Sequence, residues 1–409
     1  MKKTTCILLV IMLVLSLAAC GNTGVQAVEK TAAETAEACA DSGENITAAE
    51  EPQKDTVEEP TEEASEEAEE VAEKEPEEVP EEEPKCIRGW SEDSPAMAEI
   101  MAFVESITDE SSPDYVPPEK RIAIFDSDGT LIGERYPTLS DRSMLLYRLL
   151  HDSTYKGSTK YKSFAKATEK AIANHEELPV TPRDTVEMCA ETFAGCTVDE
   201  YREYVKEFMN QPVPGFEGMT YGTRYFVPMV ELARYLVDNG FMVYVCSGTE
   251  RNFLRAMYEV IMGDCVPPYR VIGSTVSLYA TGQDGKSGQS YVYGPKDRVL
   301  INGKMTAKNM NMNKVTRVVN EIGVAPVLVF GNSSGDFSMA QYALQNGGKA
   351  WMLLCDDTER DYGDVNEAAS FAKSCEKYGF GTVSMRDEFE TIYDDGIAMD
   401  APIALDTAA

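Results

Sequence analysis

Histidine is almost absent from this 409-residue chain, which contains only His151 and His175. Hydrolases that use a Ser-His-Asp or Cys-His arrangement, and zinc sites rich in histidine, depend on the imidazole ring. Both histidines lie well away from the acidic motifs described below. The scarcity of histidine therefore argues against these classes and indicates that any catalysis relies on carboxylates.

Basic residues are also scarce, since 37 Lys and Arg stand against 70 Asp and Glu and the formal net charge is −33 at pH 7. Residues 50–85 alone hold 18 acidic residues and 3 lysines. The rest of the chain is still acidic, whereas nucleic-acid-binding proteins normally present a basic face. No C-x-x-C pair occurs, which disfavours zinc-ribbon and thioredoxin-like sites. We therefore expect no nucleic-acid partner.

The N-terminus has the pattern of a targeting segment. Two lysines precede an apolar run at residues 7–17, which is shorter than the roughly 20 residues that a membrane span needs. We therefore interpret residues 1–19 as a signal peptide. The run ends in Leu-Ala-Ala-Cys-Gly around Cys20 and resembles a bacterial lipobox. The resemblance implies lipidation of Cys20 and an extracytoplasmic position on the bacterial cell membrane; the alternative is an ordinary signal peptide with a chance cysteine.

Residues 20–85 follow as a segment rich in Ala, Glu, Pro, Thr and Ser, without sustained periodicity. High charge combined with low hydrophobicity is typical of disorder, and like charges extend such a chain. We interpret this segment as a solvated tether behind the lipidated cysteine. The folded body is therefore expected to begin near residue 86.

Four short apolar runs, at residues 122–125, 241–245, 327–330 and 351–354, predict buried parallel strands because they are continuous rather than alternating. Stretches with helical spacing separate them. Strands that alternate with helices predict an α/β fold with a doubly wound parallel sheet. In such sheets the ligand site lies beyond the carboxyl ends of the strands.

Two inserts interrupt this pattern. Residues 135–229 lie between the first two predicted strands and contain four segments of helical spacing, too much chain for a loop. We expect them to form a helical cap over a catalytic core made of residues 86–134 and 230–409. The second insert, at about residues 265–305, is rich in Gly and Tyr, and we interpret it as loops and short strands.

The first predicted strand ends in Asp126-Ser127-Asp128-Gly129-Thr130. A carboxylate in that position is able to attack phosphorus directly and form an aspartyl phosphate. A second carboxylate two residues later is suited to protonate the leaving alkoxide and then to deprotonate water. Paired carboxylates also favour Mg²⁺. A calcium loop or a simple turn is the alternative interpretation.

At these residues the sequence resembles the haloacid dehalogenase (HAD) superfamily, specifically its phosphoserine-phosphatase-like branch with a helical C1 cap. Three further motifs carry the resemblance over roughly residues 118–395. Ser247-Gly248 follows the second strand, and the segment from Gly331 to Asp336 follows the third. The family's lysine best fits Lys314, with Lys308 and Lys304 as competitors.

The resemblance implies roles for individual residues. Asp126, Asp128, Ser247 and Lys314 would be catalytic, and Asp126, Asp128, Asp336 and Asn332 would bind Mg²⁺. The implied substrate-binding residues are Thr130, Glu134, Arg135, Ser247 and Gly248. Glu134 and Arg135 should face the cap, and Arg135 is equally open to a structural role.

The activity that these features imply is Mg²⁺-dependent hydrolysis of a small phosphomonoester. The presence of Asp128 favours phosphate esters over carbon–halogen bonds, because an alkoxide needs a proton to leave and a halide does not. A phosphotransferase of the same fold and a catalytically silent, surface-anchored binding protein remain as alternatives.

Overall fold

A computed structural model of the protein describes residues 86–400. The predicted signal peptide, Cys20 and the predicted tether lie outside these residues and stay predictions.

The central feature is a seven-stranded sheet. Its strands are β1 (Ile122–Phe125), β3 (Met242–Glu250), β4 (Val271–Ala280), β5 (Val299–Ala307), β6 (Leu328–Gly331), β7 (Lys349–Leu354) and β8 (Gly381–Ser384), and a separate two-stranded sheet pairs β2 (Phe216–Glu217) with β9 (Ala398–Met399). The strand order in the main sheet is β5-β4-β3-β1-β6-β7-β8. All neighbouring strands run parallel except β5, which pairs antiparallel with β4 at one edge.

Helices cover the sheet and fill the connections between its strands. They are α1 (Pro95–Thr108), α2 (Ser140–Leu150), α3 (Lys162–Ala173), α4 (Thr185–Thr192), α5 (Val198–Phe208), α6 (Val227–Asp238), α7 (Arg251–Ile261), α8 (Met312–Arg317), α9 (Phe337–Gln345), α10 (Val365–Tyr378) and α11 (Met385–Glu388). Short single-turn segments occur at Pro118–Lys120, Pro268–Arg270 and Ser334–Asp336, and Val318–Ile322 continues α8 as a wider turn.

The side chains of strand β1 show that the sheet is buried on both faces. Its four residues are fully buried, with Ala123 and Phe125 in one apolar core and Ile122 and Ile124 in the other. Alternating side chains of one strand thus supply both faces, as expected for a parallel sheet covered by helices. The prediction of an α/β fold with a doubly wound, mostly parallel sheet is confirmed.

The helices between β1 and α6 have an apolar core of their own. Residues from α2, α3 and α4, among them Leu145, Ala165 and Met188, form a buried cluster separate from the two sheet cores. Helix α5 begins with a capping box between Thr197 and Glu200, a common start signal that satisfies two free backbone N–H groups. This helical region lies between β1 and α6 along the chain, and its role as a cap domain stays a prediction.

The second insert differs from the prediction of loops and short strands. Strands β4 and β5 have ten and nine residues, and they extend the main sheet rather than standing apart from it. Much of β5 is exposed on one face, so its sequence is mixed and lacks the continuous apolar run that identifies the central strands. The Gly- and Tyr-rich residues lie mainly in the loop between the two strands.

Each helix in residues 86–400 is too short or too polar to cross a lipid bilayer. The cysteines of this part of the chain carry free thiols: Cys86, Cys189, Cys196, Cys246, Cys265, Cys355 and Cys375.

Candidate active site

The carboxyl ends of β1, β3 and β6 border a cavity of about 270 Å³. Two parts of the chain supply its walls. The strand side, from the turns after these strands and from α8, includes Asp126, Asp128, Ser247, Gly248, Lys314 and Asn332. The insert side, from the chain between β1 and α5, includes Leu139, Asp141, Arg142, Thr181, Asp184 and Thr185.

Asp126 is held at the end of β1 by the sheet itself, because its backbone N–H donates to the Phe330 carbonyl at 2.8 Å. Only 7% of the residue is exposed. Its Oδ1 accepts a hydrogen bond from Lys314 Nζ at 2.7 Å, and the same ammonium contacts Asp336 Oδ1 at 2.6 Å. One lysine thus bridges two carboxylates that follow neighbouring strands.

The bridge is almost completely dry, since Lys314 is 1% exposed. Burial raises the pKa of Asp126 above its ordinary value, the charge of Asp336 adds to the rise, and Lys314 opposes it. Burial alone would lower the pKa of Lys314, but Asp126 and Asp336 raise it above the usual lysine value. The ammonium of Lys314 therefore keeps its proton. Removing this side chain would leave two buried carboxylates without a compensating positive charge.

Asp336 is fixed by the turn in which it lies. Its Oδ2 accepts from the backbone N–H groups of Asn332 and Ser333, each at 3.2 Å. A Cβ added at Gly331 would come within 2.6 Å of the Asp336 Cβ, so a glycine is required for this close approach. Both oxygens of Asp336 are therefore bonded to protein groups.

Asp128 lies beside Asp126 but has a different environment. Its Oδ2 accepts from Thr249 Oγ1 at 2.8 Å. Burial raises the pKa of Asp128, and the Thr249 hydroxyl opposes this rise. The neutral acid, which is the form able to donate a proton, is thus more accessible at Asp128 than in a solvated aspartate.

Ser247 and Gly248 follow within β3. The Ser247 hydroxyl oxygen accepts from the Thr249 backbone N–H at 3.1 Å, which leaves its own proton available to a ligand. A Cβ at Gly248 would lie 2.6 Å from Met310 Sδ. The absence of a side chain there lets the backbone form part of the cavity wall.

Gly129, Glu134 and Asn332 form a compact arrangement at the edge of the cavity. Gly129 has φ of +73°, and a Cβ there would lie 2.0 Å from Asn332 Nδ2. This amide nitrogen donates to Glu134 Oε1 at 2.7 Å, while Asn332 Oδ1 accepts from Thr130 Oγ1 at 3.2 Å. Burial, together with the charge of Asp128, raises the pKa of Glu134 to about 7. Thr130 is fully buried and supports Asn332 rather than lining the cavity.

Arg135 forms its contacts with α10. Its guanidinium pairs with Glu367 at 2.8 Å and approaches Asp364 at 3.9 Å, both at the start of α10 in the sheet region, and it does not line the cavity that contains Asp126. Arg135 instead shares a neighbouring pocket with Glu134 and Asn332, bordered by α10, so the expectation that it faces the cap gains no support, and its contact with substrate stays a prediction.

Of the three candidate lysines, only Lys314 contacts Asp126. Lys308 lines the cavity and forms an ion pair with Asp184 at 3.0 Å. Lys304 lies within β5 and does not line the cavity.

Sequence reasoning missed several cavity residues, namely Asp141, Arg142, Asp184 and Thr249. Thr249 could have been predicted from the sequence, because it directly follows the Ser247-Gly248 motif. The other three reach the cavity only through the packing of α2 and α4, which no local pattern reveals.

The strand side of the cavity offers carboxylate and amide oxygens, the ligands that a hard divalent cation prefers. Within residues 86–400, no three His, Cys, Asp or Glu side chains form a ready-made ligand cluster. Mg²⁺, however, usually takes only one or two protein carboxylates and keeps several waters. Oδ2 of Asp126 and Oδ1 of Asp128 have no hydrogen-bond partner in this part of the chain, and the carboxyl groups outnumber the single ammonium of Lys314. The donor chemistry and the excess negative charge fit Mg²⁺.

No protein-family model matches the chain, and no curated protein sequence does. Solved structures with similar folds include a functionally unknown protein from Anaerococcus prevotii, at 14% identity and a TM-score of 0.42, covering 70% of this chain and 92% of that one. A cytosolic 5'-nucleotidase IIIB bound to cytidine has 12% identity and a TM-score of 0.39, with coverage of 72% and 87%. A phosphoserine phosphohydrolase-like protein from Francisella tularensis has 16% identity and a TM-score of 0.30, with coverage of 57% and 87%. At these values the likenesses carry no argument about function.

Proposed function

We propose that this protein is a phosphatase that hydrolyses a small phosphomonoester through an aspartyl phosphate on Asp126, with Mg²⁺ bound alongside. The observation that carries this proposal is the pairing of Asp126 with Lys314, at 2.7 Å, in a cavity that also contains Asp128. A carboxylate held by an ammonium at a strand end is a nucleophile in a fixed position.

In the first step an Asp126 oxygen attacks phosphorus, the bond between phosphorus and the ester oxygen breaks, and the electron pair leaves on that oxygen. Asp128 gives its proton to the departing alkoxide, a role favoured by the raised pKa of its buried carboxyl group. Lys314 and the Ser247 hydroxyl, which line the same cavity, would donate hydrogen bonds to the oxygens of the transferring phosphoryl group.

In the second step water attacks the phosphorus of the aspartyl phosphate and loses a proton to Asp128. The acyl phosphate bond breaks, inorganic phosphate leaves, and the carboxylate of Asp126 is regenerated. Asp128 thus ends the cycle protonated, as it began. The backbone hydrogen bond from Asp126 to Phe330 keeps the nucleophile in place through both steps.

Asp126 and Asp128 would hold Mg²⁺, with Asn332 and Asp336 as neighbouring oxygen ligands. When bound, the ion would offset the negative charge shared by the carboxylates and the substrate phosphate.

The direct test is turnover of p-nitrophenyl phosphate by the full chain, with and without Mg²⁺, for the wild type and for Asp126→Asn. We expect turnover that requires Mg²⁺ and falls by at least about a thousandfold in Asp126→Asn. Asp361→Asn is a matched control, because Asp361 is also buried but does not line the cavity. A wild type no faster than Asp126→Asn would favour a binding protein instead.

Trapping identifies the residue that carries the phosphoryl group. Acid quenching during turnover of labelled substrate, followed by peptide mapping, should place the label on Asp126. Label on any other residue would contradict the mechanism. Added acceptor alcohols distinguish the two enzymatic alternatives, because phosphorylated acceptor accumulates with a phosphotransferase and inorganic phosphate with a phosphatase.

We further propose that Cys20 carries a lipid anchor and that the body acts outside the cytoplasmic membrane. The support is the lipobox-like sequence at residues 17–21. Incorporation of labelled palmitate should be lost in Cys20→Ser, and this variant should leave the membrane fraction. Deletion of residues 21–85 should leave turnover of a soluble substrate within about twofold, as expected for a spacer.

A further inference from the structure

We propose that a second cavity, separate from the one that contains Asp126, binds an uncharged aromatic compound with a hydrogen-bonding group such as a hydroxyl. The second cavity has a volume of about 390 Å³, within the usual range for small-molecule sites, roughly 300–1,000 Å³. It lies between α2, α3 and the end of α5, in the helical region that follows β1. This binding site goes beyond the proposed phosphatase function and does not depend on it.

Helix α2 separates the two cavities. Asp141 lines the cavity of Asp126, whereas Ser143 lines the second cavity. Two positions along an α-helix correspond to a rotation of about 200°, so these two side chains leave α2 on opposite sides. Within residues 86–400 the two cavities share no lining residue. A ligand in the second cavity therefore does not occupy the proposed phosphate site.

Ser143 supplies a buried polar group to the second cavity. It is 6% exposed, and its hydroxyl oxygen has no hydrogen-bond partner in the described residues. The phenol of Tyr221 is its neighbour: burial raises the pKa of Tyr221, and the Ser143 hydroxyl opposes this rise. A buried polar atom without a partner is costly, so a cavity wall that retains one is suited to a ligand that forms a hydrogen bond with it.

Aromatic side chains line the cavity beside Ser143. They belong to Tyr147, Phe208 and Tyr221. The ring centroids of Tyr147 and Phe208 lie 5.9 Å apart, and those of Phe208 and Tyr221 lie 4.4 Å apart. Aromatic rings favour offset-stacked or edge-to-face contacts with one another. An aromatic ligand would extend this cluster, so the wall favours a planar ring over a saturated one of the same size.

The charges around the second cavity disfavour a charged ligand. No Lys or Arg among residues 86–400 lines it, so an anion would find no ammonium or guanidinium. Its carboxylate, Glu169, is already hydrogen-bonded to the ring of His151. Removing an ion from water without a compensating charge is costly. The ligand that fits these walls is therefore uncharged, unlike a phosphate ester.

The test uses a matched series of indoles. Tryptophol combines the aromatic ring with a hydroxyl, and 3-ethylindole lacks the hydroxyl. Indole-3-acetate and tryptamine carry a carboxylate and an ammonium in its place, and 2-cyclohexylethanol keeps the hydroxyl without an aromatic ring. Dissociation constants are measured with the full chain by ligand-observed NMR titration, with and without inorganic phosphate.

We expect tryptophol to bind more tightly than every other compound of the series. The advantage should be about two- to tenfold over 3-ethylindole, from the hydrogen bond, and about two- to tenfold over 2-cyclohexylethanol, from the aromatic contacts. It should be about tenfold or more over the two charged indoles. Inorganic phosphate should not compete with tryptophol, and Asp126→Asn should bind it as the wild type does.

Two substitutions address the wall directly. Ser143→Ala should abolish the advantage of tryptophol over 3-ethylindole. This advantage is a ratio within one protein preparation, so partial unfolding of the variant does not alter it. Gln211 lines the cavity and is half-buried, so Gln211→Trp adds a ring at the rim and should weaken binding of tryptophol by about tenfold or more.

Ser140→Ala is the matched control for Ser143→Ala. Ser140 lies in the same helix, is 1% exposed and also has a hydroxyl oxygen without a partner in the described residues. It lines neither cavity. The dissociation constants of Ser140→Ala should therefore equal those of the wild type.

Three results would overturn this inference: no saturable binding of tryptophol, displacement of tryptophol by inorganic phosphate, or unchanged binding in Gln211→Trp. Tighter binding of indole-3-acetate, tryptamine or 2-cyclohexylethanol than of tryptophol would overturn the ligand class. A hydroxyl advantage that survives Ser143→Ala would overturn the role of Ser143. All of these measurements record binding rather than turnover, so their outcome is distinct from success or failure of the phosphatase function.

Discussion

On the strand side of the cavity, Lys314 contacts both Asp126 and Asp336, and Thr249 donates to Asp128. On the insert side, Asp141 and Arg142 each have a buried polar atom without a partner in the described residues. The two sides belong to one cavity of about 270 Å³, but among its lining residues in the described part of the chain the buried polar atoms without a partner belong to Asp141 and Arg142 on the insert side.

This difference separates the two tasks of a hydrolase. Groups that stabilise a transition state act best when the protein holds them in place before the substrate arrives. Groups that select a substrate gain from being unpaired, because an incorrect ligand then leaves a buried polar atom unsatisfied. We therefore assign the chemistry to the strand side and the choice of substrate to the insert side.

Lys314→Met should have the largest effect on stability and turnover, because it removes the ion pairs of Lys314 with Asp126 and Asp336. Removing one partner of a buried ionic cluster costs about 3–5 kcal/mol, and Lys314 is the ammonium shared by Asp126 and Asp336. We expect a loss of that size in the free energy of unfolding, measured by urea denaturation, together with loss of turnover.

Lys308→Met is the control for this change. Lys308 lines the same cavity, but its pair with Asp184 is about one-third exposed on both sides, and such pairs contribute about 0–1 kcal/mol. Equal unfolding free energies for the two variants would show that the bridge through Lys314 does not stabilise the fold.

Asp128→Asn should lower kcat by about 10²–10⁴-fold, the usual contribution of a general acid–base. The loss should be larger for an alkyl ester such as glycerol 3-phosphate than for p-nitrophenyl phosphate, since nitrophenolate leaves without a proton. Single-turnover measurements separate formation of the intermediate from its breakdown. Equal losses for both substrates in the first step would argue against proton donation by Asp128.

The strand side was largely predictable from sequence, and the reason is local. Asp126, Ser247 and the turn from Gly331 to Asp336 each follow a continuous apolar run, and parallel strands bring their carboxyl ends to one edge. Lys314 is different, because spacing alone left three candidate lysines. The burial of its side chain between two carboxylates distinguishes it, and that is a tertiary property.

The insert side was not predictable, and the two arginines show why. Arg135 lies close to the first motif in sequence and was the natural candidate for substrate contact, yet it pairs with Glu367 in α10. Arg142 is seven residues further along and reaches the cavity because α2 packs there. Proximity to a motif along the chain does not determine which cavity a side chain enters once the chain turns.

Asp361→Asn tests a buried aspartate that resembles Asp141 but lies outside the cavity. Asp361 is likewise buried and has an oxygen without a partner in the described residues, but it lies outside the cavity. Burial raises the pKa of Asp361 from 3.8 to about 6. The folded state therefore favours the neutral acid, and this contribution to stability is present below about pH 4 and is lost as the pH rises through about 6.

The asparagine variant lacks this titration. Relative to the wild type, it should gain stability between about pH 4 and pH 7, by about 2–3 kcal/mol at most from the two-unit shift. Thermal unfolding of both proteins across that pH range measures the difference. Its preference among substrates should not change, and a difference in stability independent of pH would show that Asp361 does not carry the buried proton.

Thr249→Val should have the smallest effect, and it tests how much the strand side depends on a single hydrogen bond. The substitution removes the hydroxyl that donates to Asp128 Oδ2 at 2.8 Å and keeps the shape of the side chain. A neutral donor of this kind contributes roughly 0.5–1.5 kcal/mol, so kcat should fall by about two- to tenfold, far less than for Asp128→Asn. Thr249→Ser retains the hydroxyl and should restore most of the rate. If Thr249→Val were as slow as Asp128→Asn, the Thr249 hydroxyl alone would control the position of the Asp128 carboxyl group. The other contacts on the strand side would then not be sufficient to hold the acid in place.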